Sequence, residues 1–263
     1  MAKIYTLVNQ KGGVGKTTSA INLGAYLGYY GQKVLLVDLD PQSNATSSLG
    51  IDKNTVRTGT YEVLLGSAPI SPHILHNPRL KISLLPSSPA LAGAEVELAE
   101  LDHHEKRLAI AIEPVLNRYD YILIDCPPSL SMLTVNGLVA AKDGVLIPVQ
   151  CEYLALEGLG MLTQTLDRVR SSFSMNLPVR GVLLTMFDGR TRLALDVVTE
   201  VKKYFPDQVF QTVIPRSIRV AEAPSYGQPL STYAPESSAA KAYANLAREV
   251  LGQDGIMIPE GME

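Results

Sequence analysis

A chain of 263 residues with 46% apolar, 19% charged and 6% aromatic residues carries enough hydrophobic material for a sizeable core, which excludes an intrinsically disordered protein. Two cysteines, Cys126 and Cys151, exclude a disulfide scaffold and fit a reducing compartment. A net charge of −3 excludes a globally basic nucleic-acid binder, although Arg168–Arg219 holds nine Lys and Arg against four Asp and Glu.

Short apolar runs predict strands at 4–8, 34–37, 82–85, 121–124, 144–149 and 179–185, with a weaker one at 210–214. Helical periodicity predicts helices at 18–29, 92–116, 130–141, 154–170, 192–205 and 237–251, the last ended by Gly252. The stretch 54–78 lacks a period and reads as a peripheral excursion. Continuous apolar strands alternating with helices predict an α/β fold. The expected architecture is one doubly wound domain over residues 1–252, a mostly parallel sheet with helices on both faces. A flexible tail is expected at 253–263. The apolar run at the amino terminus is too short for a signal peptide, and no run reaches the roughly 18 apolar residues of a membrane span. The expectation is a soluble cytoplasmic protein.

The densest signal follows the first strand: Gln10-Lys11-Gly12-Gly13-Val14-Gly15-Lys16-Thr17-Thr18. Glycines let successive backbone N–H groups converge on phosphate oxygens, and the helix that follows aims its amides and dipole at the same anion. Lys16 is placed to reach the outer phosphates and the Thr17 hydroxyl to ligate Mg²⁺. Gln10 occupies the first glycine of the ordinary P-loop pattern, and a second lysine, Lys11, precedes the loop. Asp38 and Asp40 follow one apolar strand and Asp125 another. In an open parallel sheet such positions line the ligand crevice. Neither guanine-reading pattern, N-K-x-D nor T-K-x-D, occurs, which favours ATP.

Five segments in order, Val34–Gln42, Asp125–Pro128, Pro148–Glu152, Thr185–Thr191 and Val213–Arg216, together with the K-G-G-x-G-K-T-T loop, resemble the ParA/Soj-type chromosome-partitioning ATPases of the deviant P-loop (ParA/MinD) superfamily. The resemblance runs from about residue 3 to about residue 250. It implies that Lys11 reaches across an ATP-bound homodimer to the partner's phosphates, so that Lys11, Lys16 and Asp40 are catalytic, Asp40 positioning the attacking water. It implies that Asp125 holds Mg²⁺ through water, with Thr17 and supported by Asp38. The adenine would lie against Met186, Asp188, Pro215 and Ser217, with Ser217 standing where relatives usually carry Asn. Duplex DNA would be bound without sequence preference by Arg190, Arg192, Lys202, Lys203, Arg216 and Arg219. Tyr226, Gln228 and the Pro235–Ser238 segment stand where basic residues are frequent in the family, so weaker or more salt-sensitive DNA binding is expected.

The implied function is an ATP-hydrolysing switch for chromosome or plasmid partitioning, nucleoid-associated and stimulated by a ParB-type DNA-bound partner. The alternatives are a MinD-like membrane-associated ATPase and a positioner of protein organelles. The ending Gly252–Glu263, with two further glycines, a proline and three acids, disfavours a membrane-binding helix. His73-x-x-His76 and His103-His104 lack the accompanying ligands of a metal site. The cysteines lack iron–sulfur spacing.

Overall fold

The computed structural model describes residues 1–152 and 155–258. Seven strands, β1 (Lys3–Leu7), β2 (Val34–Asp38), β3 (Leu75–Asn77), β4 (Ile82–Leu85), β5 (Tyr121–Asp125), β6 (Gly144–Gln150) and β7 (Val179–Thr185), form one sheet. Their order is β3-β4-β2-β5-β1-β6-β7. All neighbours are parallel except the edge strand β3, which pairs antiparallel with β4. Among the described residues the helices are α1 (Lys16–Tyr29), α2 (Asn44–Ser48), α3 (Thr60–Leu65), α4 (Ala94–Leu98), α5 (Arg107–Ile112), α6 (Met132–Ala140), α7 (Ala155–Phe173), α8 (Arg192–Tyr204), α9 (Ile218–Glu222), α10 (Leu230–Tyr233) and α11 (Ser238–Gln253).

Both faces of the central strands are covered, which is why their sequences are continuously apolar. Tyr5, Leu7, Leu36 and Leu123 pack with Leu23 and Leu27 of α1 and with Tyr243 and Leu246 of α11. The alternate residues Ile4, Leu35, Val37, Ile122 and Ile124 face the opposite layer, against Leu64, Leu98, Leu108 and Leu133 from α3 to α6. A third cluster joins β6 and β7 to α7 and α8. Truncating a fully buried leucine such as Leu36 costs about 3 kcal/mol, part transfer and part cavity.

Register does the functional placing. Leu7 lies opposite Asp125, and Asp125 opposite Asp38, so the loop leaving β1 and two strand-end carboxylates share one edge of the sheet.

Four expectations change. The helix expected over 92–116 breaks into α4, a turn and α5, followed by a 3₁₀ segment, Glu113–Arg118. Pro114 cannot continue an α-helix, and His103 sits at φ 55° in the intervening turn. The strand expected at 210–214 makes only isolated bridges, Val182 with Val209 and Phe187 with Pro215. The excursion at 54–78 contains α3 and β3, pinned by buried Val63, Leu64 and Ile70.

The flexible tail expected at 253–263 is anchored at its start. Helix α11 runs through Gly252 to Gln253. The Asp254 carboxylate then accepts Tyr5 O–H at 2.7 Å, Tyr121 O–H at 2.8 Å and Arg180 Nη2 at 2.7 Å, and Ile256 and Ile258 pack on the core. Residues 259–263 of that expected tail lie outside the described residues.

Candidate functional site

The glycine loop bridges β1 and α1. Gly13 (φ 76°) and Gly15 (φ 91°) take left-handed backbone conformations that a side chain would strain. Gly15 is the N-cap of α1, with no side-chain cap, so the first amides of a 14-residue helix are left for an anion. Thr185, ending β7, donates its hydroxyl to the Val14 carbonyl at 2.8 Å and fixes the loop's outer wall. The resulting cavity of about 250 Å³ is lined by Gly12, Gly13, Gly15, Lys16, Thr17 and Thr18. Asp40, Gln42, Asn44, Pro128 and Met186 complete it. Lys16 is buried, with Nζ donating to the Lys11 carbonyl at 3.3 Å. Burial pulls its ammonium below the usual lysine range, opposed by the charges of Asp125 and Asp40.

The three carboxylates have different environments. Asp38 spends its oxygens within the protein, accepting Thr46 N–H at 2.8 Å, Thr46 Oγ1 at 2.6 Å and Asp40 N–H at 3.3 Å. Burial nevertheless pushes its pKa up to about 6, the Thr46 bonds opposing. Those bonds tie Asp38 to Thr46 and to the backbone of Asp40. Asp40 holds one oxygen on Gln42 N–H at 2.9 Å and lines the cavity. Asp125 is fully buried, and both of its oxygens lack a hydrogen-bond partner. Burial raises its pKa well above the usual carboxylate range, with the neighbouring Asp38 charge adding and nearby Thr17 and Lys16 opposing. A buried carboxyl without donors is expensive unless a cation or solvated cation completes it. Among the described residues no three His, Cys, Asp or Glu side chains converge into a metal cage. Such a hard, sparsely ligated corner fits Mg²⁺, which keeps several waters and is shared with phosphates.

Lys11 stands outside the cavity. Its Nζ lies 3.8 Å from Glu152, whose carboxylate also takes Gln150 Nε2 at 2.6 Å and Arg216 Nη2 at 3.3 Å. The two segments expected around the base do meet: Phe187 N–H donates to Ile214 O and Arg216 N–H to Phe187 O. Met186 reaches the cavity from a left-handed backbone, φ 51°. Asp188 is clamped by Arg190 through Nε at 2.8 Å and Nη2 at 2.7 Å, which holds its pKa down to about 2. Ser217 is the N-cap of α9 with its side chain making no cap bond.

Residues 2–179 match the model of the AAA domain family. The chain is 52% identical over 250 residues to the sporulation initiation inhibitor protein Soj of Bacillus subtilis, covering 95% of this chain and 98% of the relative. The chromosome-partitioning ATPase Soj of Treponema pallidum is 49% identical, covering 97% and 99%. This chain belongs to the Soj/ParA family of ATPases. A solved cobyrinic acid a,c-diamide synthase from Mycobacterium smegmatis, with an ATP analogue and magnesium bound, shares the fold of this Soj/ParA-type chain. Its TM-score is 0.84 at 35% identity, covering 98% of this chain and 99% of that one.

The basic residues of this ParA-type chain are less free than the sequence suggests. Arg190 pairs with Asp188, Lys203 with Glu200, Arg216 with Glu152 and Arg219 with Glu222. Arg192 and Lys202 make no ion pair among the described residues. Arg190 and Arg216 both face Asp188, whereas Lys202 and Lys203 lie at the far end of α8, about 16 Å from Arg192 at 1.5 Å per residue. Sequence reasoning passed over Gln42, Asn44 and Pro128 in the cavity and Glu152 beside Lys11. Gln42, Pro128 and Glu152 lie inside the motifs quoted for the resemblance, so a signal existed for them; Asn44 had none. No helix among the described residues is long and apolar enough to cross a membrane.

Proposed function

We propose that the protein is an ATP-hydrolysing switch for DNA partitioning, cycling between a monomer and an ATP-bound homodimer. The observation that supports this best is the pair of unpartnered Asp125 oxygens, buried near Lys16 and Thr17 of the glycine loop, whose helix N-terminus suits an anion. Thr17 and Asp125 would hold Mg²⁺, the latter through water, and the ion would neutralise phosphate charge and polarise the terminal phosphoryl group. Loop amides of Gly12 to Thr18 bind the phosphates, and Lys16 spans them. Asp40, tied at one oxygen to Gln42, orients the attacking water with the other. Met186, Asp188, Pro215 and Ser217 bound the base, the last two through backbone groups.

Lys11 supplies charge in trans. In the monomer it rests by its own Glu152. In the dimer it reaches the partner's phosphates, so stabilisation of the developing charge waits for assembly. Dimerisation also doubles a modest basic surface, Arg190, Arg192, Arg216 and Arg219 with Lys202 and Lys203 more distant, for non-specific contact with duplex phosphates on the nucleoid. A ParB-type DNA-bound partner would then trigger hydrolysis and release.

Asp40→Ala tests the division of labour. It should retain ATP-dependent dimerisation by light scattering and lose at least about a hundredfold in hydrolysis. Parental turnover in that variant overturns the role given to Asp40.

A further inference from the structure

The edge of the sheet opposite the nucleotide loop carries a second concave site. β2, β4 and β5 are neighbours in the sheet, and each is preceded by a cation: Lys33 abuts Val34, Lys81 abuts Ile82, and Arg118 stands three residues before Tyr121. Parallel pairing therefore gathers at one rim three cations scattered over 86 positions of the chain. They border a cleft of about 440 Å³ lined also by Val34, Ile74 and Tyr119, with the Arg118 guanidinium 6.0 Å from the Tyr119 ring and Lys81 Nζ 5.2 Å from the Tyr29 ring. No Asp or Glu lines it, and none of the three cations makes an ion pair among the described residues. The adjoining Asp120 carboxylate is engaged by the Lys33 backbone N–H at 2.8 Å.

Two further details show that this rim is held in shape. Lys81 sits at φ 55°, a backbone conformation that L side chains rarely adopt. Its carbonyl is packed so tightly on α1 that a Cβ at Gly28 would lie 2.1 Å from it. Strain at a residue whose side chain borders a cleft is a recurrent mark of a binding position. His76, on β3, is oriented by a 3.1 Å hydrogen bond between Nδ1 and Ser83 Oγ, and it lines the same cleft.

We infer that this cleft is a second ligand site, for a small organic polyphosphate. Three unpaired cations match a diphosphate or triphosphate better than a single carboxylate. The volume falls in the range of small-molecule pockets, and the apolar lining with the Tyr119 ring suits a base or similar ring. The site is separated from the nucleotide loop by the length of the strands, about 17 Å for the five residues of β2, so both can be filled at once.

The test uses the full chain with one equivalent of a non-hydrolysable ATP analogue and excess Mg²⁺, which fills the loop and leaves the cleft open to the probes. Inorganic pyrophosphate and guanosine diphosphate are then titrated calorimetrically. One further binding event is expected, tighter for the nucleotide, and weakened at least about tenfold in Lys33→Ala/Lys81→Ala/Arg118→Ala. All three side chains are exposed, so basal ATP hydrolysis of the variant should match the parent and report an intact fold. The single variant Lys81→Gln should show a smaller loss in the same direction. The inference is overturned if neither probe binds, if binding survives the triple substitution, or if short duplex DNA alone is lost from that variant.

Discussion

Asp125 and Asp254 are two buried carboxylates at opposite ends of the same sheet, and they differ in one respect. Asp254 has three donors, two tyrosine hydroxyls and a guanidinium, on its two oxygens. Asp125 has none. A satisfied buried carboxylate is structure, here a tie between the end of α11 and strands β1, β5 and β7. An unsatisfied one, beside Thr17 and Lys16, fits a solvated cation. The contrast separates what holds the molecule together from what it works with.

The sharpest way to break that contrast is to substitute both. Asp125→Asn should lower hydrolysis by about a hundredfold or more. In the absence of nucleotide and Mg²⁺ it should also raise the unfolding midpoint at alkaline pH, because it removes an uncompensated buried charge. Asp254→Ala should do the reverse. It leaves Arg180 and two buried hydroxyls without their acceptor and costs about 4 kcal/mol, about 10 °C in thermal unfolding, with turnover at permissive temperature unchanged. Equal signs in the two unfolding experiments would contradict the distinction.

A subtler effect comes from Asp38. Burial raises its pKa to about 6 in the native state, above its unfolded value. Its contribution therefore favours folding fully below about pH 4 and is lost as pH rises through 6, about 3 kcal/mol across that window. Asp38→Asn should flatten this limb of the stability profile measured by denaturant titration. An unchanged slope between pH 4 and 6 would show that the burial cost has been relieved elsewhere. Smallest is the DNA effect. Since Arg219 is already paired with Glu222, Arg219→Glu should weaken the ATP-dependent shift of duplex DNA by only about tenfold, and moderate salt should weaken the parent likewise.

Much of this was legible in the chain. Five-residue runs such as VLLVD and YILID are buried at every position, as strands covered on both faces require. The loop was legible because glycine spacing, a strand before it and a helix after it are all local. What escaped depended on distant pairing. Glu152 lies 141 residues from Lys11, and nothing local marks it as the lysine's resting partner. Lys33, Lys81 and Arg118 are ordinary surface residues until the β4-β2-β5 order brings them to one rim. Asp254 looked like the start of a loose tail because its three donors sit on β1, β5 and β7. The basic segment shows the converse: Glu152 and Glu222, which lie outside it, pair with Arg216 and Arg219, and no count within the segment includes them.

The claim on which the mechanism turns is that each active centre is built from two chains, Lys11 of one and Asp40 of the other. Mixing Lys11→Ala with Asp40→Ala, each inactive alone, tests it directly. Half of the dimers formed at random carry one complete centre, so hydrolysis should return to about a quarter of the parental rate per chain. No recovery on mixing, or full activity of Lys11→Ala by itself, would place every catalytic group within one subunit.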